Sequence, residues 1–161
     1  MDVVRDVVLV LATVSTGLMA GVFFAYAISL MPGLARSDDR TFVTAFQNVD
    51  RAIVNPLFLS IFLGTLVINV VAGVVHIGGD GRSALPWIVA AAVLYLVVVA
   101  ITVRVHVPLN NAIKAAGDPD RIDVAATRVR FTEGRWIGWN AVRTVLSVAA
   151  FGCLAVALVV G

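Results

Sequence analysis

Four long apolar runs decide what this chain can fold into: Val7 to Leu30, Ile53 to Ile77, Leu85 to Val103 and Trp136 to Val160. Each matches or exceeds the roughly 20 residues that an α-helix needs to cross a hydrocarbon layer about 30 Å thick. Inside that layer every backbone N–H and C=O must be satisfied within the segment, so runs of this kind become helices. The chain is 60% hydrophobic and 14% charged, and its mean hydropathy is +0.99, outside the usual balance of a soluble domain. The expected fold class is therefore an all-α membrane protein, a four-transmembrane-helix bundle formed by residues 1–161 as a single membrane domain. The first run follows Arg5 as a signal sequence would, but its 24 uncharged residues exceed the roughly 7–15 of a signal core. It is expected to stay as a helix.

Orientation follows from the cations flanking the runs. Nine Lys and Arg residues sit in the first and third connections, against Arg5 and Arg82 on the other side. Positive charge is retained in the cytoplasm, so both termini are expected outside it, in a multi-pass protein of the cell membrane. The same arginines account for the net charge of +2, which gives no ground for nucleic-acid binding. Phe42, Phe46, Val49 and Ile53 in one basic connection, and Ile122, Ala126 and Val129 in the other, recur at helical spacing. They predict amphipathic helices at the membrane surface or continuous with the spans. Asp118-Pro119-Asp120 reads as the start of the second of these. The Gly78–Ser83 stretch is a turn without chemistry, and Cys153, the sole cysteine, can form no disulfide within the chain.

Arg143 is the only charged residue in the four runs. Trp136, Asn140, Arg143 and Ser147 share one helix face by their spacing. A charge there costs about 2.5–3.5 kcal/mol on insertion scales. It either snorkels to the headgroups beside an interfacial Trp136 and Trp139 or faces an interior polar site. Placed by depth, Tyr26, Asn55, His106, Asn110, Asn140 and Arg143 fall at the same end of the four helices, with Gln47 and Asp50 beside them. Each has a bland alternative. Asn55 before Pro56 can be a helix cap; Asn110 and Asn111 can cap a helix that Pro108 kinks or ends; Asp50 can be solvated; and a single histidine is more often structural than chemical. Asn69, in mid-helix, needs a partner inside the bundle. Gly17 and Gly21 are spaced for close helix packing, and a homodimer could use that face.

Shared haem ligation by His76 and His106 is excluded within one bundle, because they lie at opposite ends of neighbouring spans about 30 Å apart. No paired metal-ligand spacing and no nucleotide loop occurs in the sequence. The expectation is a pocket with no cofactor and no metal.

Phe23-Phe24, Met31-Pro32-Gly33-Leu34, Asn55-Pro56-Leu57-Phe58, Val107-Pro108-Leu109-Asn110 and Trp136-x-x-Trp139-Asn140-x-x-Arg143 together resemble the small four-helix membrane family that includes the anthrone oxygenases. The likeness runs through nearly the whole chain, though His106 stands where such sequences are expected to carry asparagine. It implies oxidation of a lipophilic polycyclic aromatic, such as an anthrone, to the quinone with molecular oxygen. Such a site needs a base, donors for the developing enolate oxygen and an apolar slot. His106 or Asp50 is the expected base, and Arg143 with Asn140 or Asn110 the expected anion stabiliser. Tyr26, Phe24, Trp136 and Trp139 would line the slot, with Asn55 at its edge. The alternative is a non-catalytic membrane protein that binds a lipophilic ligand or a partner helix through the same residues. A transporter is disfavoured by the lack of paired intramembrane charges or an inverted repeat.

Overall fold

The computed structural model of the chain describes residues 2–78 and 82–161, with helices, turns and short connections and no strand among them. Positions 79–81 of the expected turn lie outside the described residues. Helix α1 (Asp2–Ala25) runs through a π-helical turn, Tyr26–Leu30, into α2 (Met31–Ala35). Then come α3 (Asp39–Ile53), α4 (Pro56–Val75) and α5 (Leu85–Ile101), which continues through a second π-helical turn, Thr102–His106, into α6 (Val107–Ala115). Helices α7 (Val124–Phe131) and α8 (Glu133–Val160) complete the chain. Four helical stretches are long and apolar enough to cross a membrane, as a multi-pass protein requires.

Helix α1 packs against α4 and α8, and α5 packs against the same two, which closes a four-membered ring. At the end near the chain termini the ring is narrow, because Ala12, Ala72, Ala84, Ala91, Ala150 and Ala157 meet there with Leu9, Ile88 and Leu154. Small side chains let helix backbones approach where lipid offers no hydrophobic drive for association. A Cβ on Gly17 would stand 2.9 Å from the Phe151 ring of α8, whereas one on Gly21 would meet nothing within 4 Å. Gly17 is thus committed to packing within the chain, and only Gly21 remains open on the face expected for a dimer. The mid-helix Asn69 finds its partner in Thr16, donating through Nδ2 at 3.3 Å. Beyond this layer Met19, Phe23, Phe62, Tyr95 and Val98 fill the ring.

The two π-turns resolve the question raised by Pro108. Met31 N–H bonds to the Tyr26 carbonyl and Val107 N–H to that of Thr102, each one residue farther back than in an α-helix. A proline follows immediately in both places, Pro32 and Pro108. Proline lacks an N–H and collides with the carbonyl four residues before it, and the wider turn supplies the room. Helix α5 is therefore prolonged to Ala115 rather than ended, and Asn110 and Asn111 lie within α6 instead of capping a terminus.

Both basic connections hold helices, as their helical spacing predicts. Helix α3 buries Phe42, Val43, Phe46, Gln47 and Asp50, and its apolar face packs on Ile113, Phe131 and Trp136. It closes the wide end of the bundle. Asp38 caps it, accepting from the Thr41 amide at 3.0 Å and from the Thr41 hydroxyl at 2.6 Å, and those bonds hold its carboxyl below the ordinary value. Helix α7 starts at Val124 with Asp123 as its cap, not at Asp118, because residues 117–123 form a turn around left-handed Gly117 (φ 103°). Arg128 of α7 anchors this cover: it donates to the Ser37 carbonyl at 2.9 Å, pairs with Asp39 and Glu133, each at 3.1 Å, and lies 4.3 Å above the Phe42 ring. Those contacts hold the left-handed corner at Thr132 (φ 54°), a conformation that costs a non-glycine residue about 1–2 kcal/mol.

Candidate functional site

Between the ring and its α3 cover lies a cavity of about 340 Å³, at the lower end of the roughly 300–1,000 Å³ of small-molecule sites. Its walls are mostly apolar, and its polar groups are Tyr26, Asp50, Thr102, His106, Asn110, Asn111, Lys114 and Arg143. All four membrane-crossing segments and α3 contribute. The side chains come together because both π-turns face the cavity: Tyr26 lies in one, and Thr102 and His106 lie in the other.

Arg143 does not snorkel. Its side chain is buried, with Nε and Nη2 donating to Asn140 Oδ1 at 3.3 and 2.9 Å and Nη1 donating to Thr102 Oγ1 at 3.2 Å. The guanidinium carbon lies 4.1 Å from the centroid of the Phe23 ring, a cation–π arrangement. Asn140 is fixed in turn by donating to the Phe23 carbonyl at 3.2 Å. No carboxylate pairs with Arg143 among the described residues. A guanidinium has five N–H groups, so these three bonds leave two unengaged on a group that lines the cavity. A buried cation without a counter-ion attracts an anionic or strongly polarised oxygen.

His106 is equally buried, and neither ring nitrogen makes a hydrogen bond of ordinary geometry among the described residues. A neutral imidazole carries one N–H and one lone pair. The ring stands edge-on to Trp136, with centroids 4.9 Å apart. Trp136 also meets Tyr26 at 5.8 Å and donates its indole N–H to Asn110 Oδ1 at 2.9 Å. Asn110 passes its own amide N–H to Asp50 Oδ1 at 2.6 Å, and Lys114 Nζ lies 2.6 Å from Asp50 Oδ2. Asp50 is therefore engaged by an ammonium and an amide, while the Tyr26 hydroxyl has no hydrogen-bond partner among the described residues.

Of the residues expected at the site, His106, Asp50, Arg143, Tyr26, Asn110 and Trp136 line the cavity, and Asn140 stands directly behind Arg143. Three lie elsewhere. Phe24 is 50% exposed and Trp139 40% exposed, both on outward faces of their helices, because Phe24 is one residue past the inward Phe23 and Trp139 one residue before the inward Asn140. Asn55 caps α4, accepting from Phe58 N–H at 2.9 Å, and its side chain faces outward. Sequence reasoning missed Phe23, Thr102 and Lys114. Thr102 precedes His106 and Asn110 at steps of four, and Phe23 follows Thr16 by seven, so helical spacing carried the signal for both.

The fold and the site define a polytopic four-helix membrane protein with a chamber at one end, walled by aromatic side chains, a guanidinium without a carboxylate partner and a buried imidazole whose nitrogens make no hydrogen bond among the described residues. More specifically, the chain belongs to the anthrone oxygenase family, whose model matches residues 42–153. That segment contains α4, α5, α6, most of α3 and the site-bearing part of α8. Comparison with curated proteins and with solved structures gives no significant match. Among the described residues, no three His, Cys, Asp or Glu side chains gather as a metal site would need.

Proposed function

We propose that the protein is a membrane-embedded oxygenase that oxidises a lipophilic polycyclic aromatic of the anthrone class with molecular oxygen and without a resident cofactor. The observation that carries this reading is that one apolar cavity is lined both by Arg143, with two unengaged N–H groups, and by His106, whose ring nitrogens make no hydrogen bond among the described residues. An anthrone carries its acidic C–H opposite its carbonyl, so one flat molecule can address both residues at once. Family membership supports the same chemistry.

In the proposed sequence His106 removes the proton from C10, and the negative charge that develops on the carbonyl oxygen is met by Arg143 with the Tyr26 hydroxyl beside it. The electron-rich enolate passes one electron to oxygen, and the resulting radical and superoxide join through a C10–O bond. The peroxide takes the proton back at its outer oxygen and loses the second C10 hydrogen as the O–O bond breaks. The products are the quinone and one water, so one oxygen molecule is consumed for each anthrone. His106 is assigned as the base in preference to Asp50, whose carboxylate is held by Lys114 and Asn110. By the distribution of Lys and Arg, the chamber belongs to the cytoplasmic end of a cell-membrane protein with both termini outside.

A second reading is a binding protein without catalysis, favoured by the three hydrogen bonds that already engage Arg143 within the chain. Oxygen uptake separates the two. Purified protein in lipid vesicles should consume oxygen with a panel of anthrones and yield the quinone in one-to-one proportion. Uptake no faster than in empty vesicles would sink the oxygenase reading.

A further inference from the structure

We propose that the substrate enters and the product leaves sideways, from the hydrocarbon layer, through a gap between α4 and the α5–α6 helix bounded by Leu59, Leu63, Val103 and Val107. The inference rests on the cavity being the site of the flat lipophilic substrate proposed above. All four residues line the cavity, yet they are exposed by 40%, 53%, 56% and 43% in that order. Side chains on a rim do both. Helix α4 packs on α5, but no comparable packing joins α4 to the second π-turn or to α6. The two helices therefore part where the cavity begins, and the rim they leave is wholly aliphatic and lies within membrane-crossing segments.

The other approach to the cavity is polar. Asp50, Asn111 and Lys114 line it there, and the 2.6 Å contact between Lys114 and Asp50 closes it together with the amide of Asn110. Passage that way would break charge-assisted bonds, for which an apolar ring system offers no replacement. A molecule already dissolved in the bilayer meets no such barrier at the aliphatic rim. The portal thus selects substrates that partition into lipid, and their concentration in the membrane rather than in water sets the rate of entry.

The test reads entry directly. Trp87→Phe and Trp139→Phe leave Trp136, in the cavity wall, as the sole tryptophan of three. Anthraquinone in phosphatidylcholine vesicles is the probe, and stopped-flow quenching of Trp136 gives its rate of arrival. Leu63→Phe with Val103→Phe should slow quenching at least about tenfold, or about 1.4 kcal/mol of added barrier, while the final extent of quenching stays the same and reports an intact cavity. Asn111→Phe, at the polar mouth, should leave the rate within about twofold. The reverse pattern, equal rates in all variants, or no quenching in the parent protein overturns the proposal. The readout needs no turnover: oxygen consumption with unaltered entry rates would sink the portal alone, and slowed entry without any oxygen consumption would sink the oxygenase reading alone.

Discussion

Arg143→Met separates the chemical role of the guanidinium from a structural one, because the two give opposite expectations for activity and stability. Methionine keeps much of the side-chain volume and removes the charge. On the stability side, loss of a charge from the membrane interior recovers about 2.5–3.5 kcal/mol on insertion scales. Against this stand the lost stacking on Phe23, worth about 0.5–2 kcal/mol, and the orphaned Asn140 Oδ1, which costs about 1–3 kcal/mol. These terms nearly cancel, so the folded state should change by no more than about 1–2 kcal/mol in either direction. The proposed transition state, however, loses its main source of positive charge. Removal of one such donor typically costs 10²–10³ in kcat, or about 2.7–4 kcal/mol. The assay is oxygen uptake in vesicles with an anthrone, corrected for spontaneous oxidation, run beside thermal unfolding of the same preparation. A kcat within about threefold of the parent would refute the assignment. So would a loss of activity that merely tracks a loss of folded protein.

His106→Gly should lower kcat by about 10²–10⁴, and added imidazole should restore part of it by filling the space the ring leaves; absence of any rescue at saturating imidazole would argue against proton abstraction there. Phe24→Ala and Trp139→Ala, on outward faces, are expected to leave kcat/KM with an anthrone within about twofold, measured under the same oxygen-uptake conditions. Gly17→Ala should unfold at lower temperature than Gly21→Ala, because the first methyl meets Phe151 at 2.9 Å and the second meets nothing; both gain up to about 1 kcal/mol of helix propensity, so their difference isolates the contact. The Asp38 cap has a lowered folded-state pKa, so its contribution is present above the ordinary carboxylate value of 3.8 and is lost as pH falls through the folded-state value. Hydrogen exchange at the Thr41 amide should accelerate over that acid range and no earlier.

The helical bundle was legible in the sequence because the bilayer leaves a backbone so few solutions, and the apolar lengths alone located the four spans. The gathering of Tyr26, His106, Asn110 and Arg143 was legible too, since depth along a helix can be counted in residues. Rotation about each helix was harder to read. Phe23 and Phe24 have identical chemistry, and a lipid-facing aromatic is as well solvated as a buried one, so the hydropathy difference that distinguishes faces in a soluble helix is absent here. Polar neighbours carried the missing information: the stripe Thr16, Met19, Phe23 is inward and is marked by its threonine. Pro108 left open whether its helix kinks or ends, because the wide turn that lets the helix continue has no sequence signature of its own. Asn55 shows the converse, since the local chemistry of Asn-Pro already accounted for it in full.

The two π-turns have a consequence for which changes the chain can absorb. Each holds one residue more than a regular helix would use over the same rise, so each acts as a stored insertion. Deleting one residue from Tyr26–Leu30 or from Thr102–His106 would restore an unbroken α-helical ladder, and the altered segment would still span a membrane. The residues beyond the deletion would keep their faces, because the five residues of each wide turn cover about the arc that four cover in an α-helix. Met31 would still meet the α3 cover, and Asn110 and Lys114 would still face Asp50. Length variation at these two places is therefore confined to the chamber wall itself, and a chain shortened at either could keep its fold while presenting one side chain fewer to whatever lies inside.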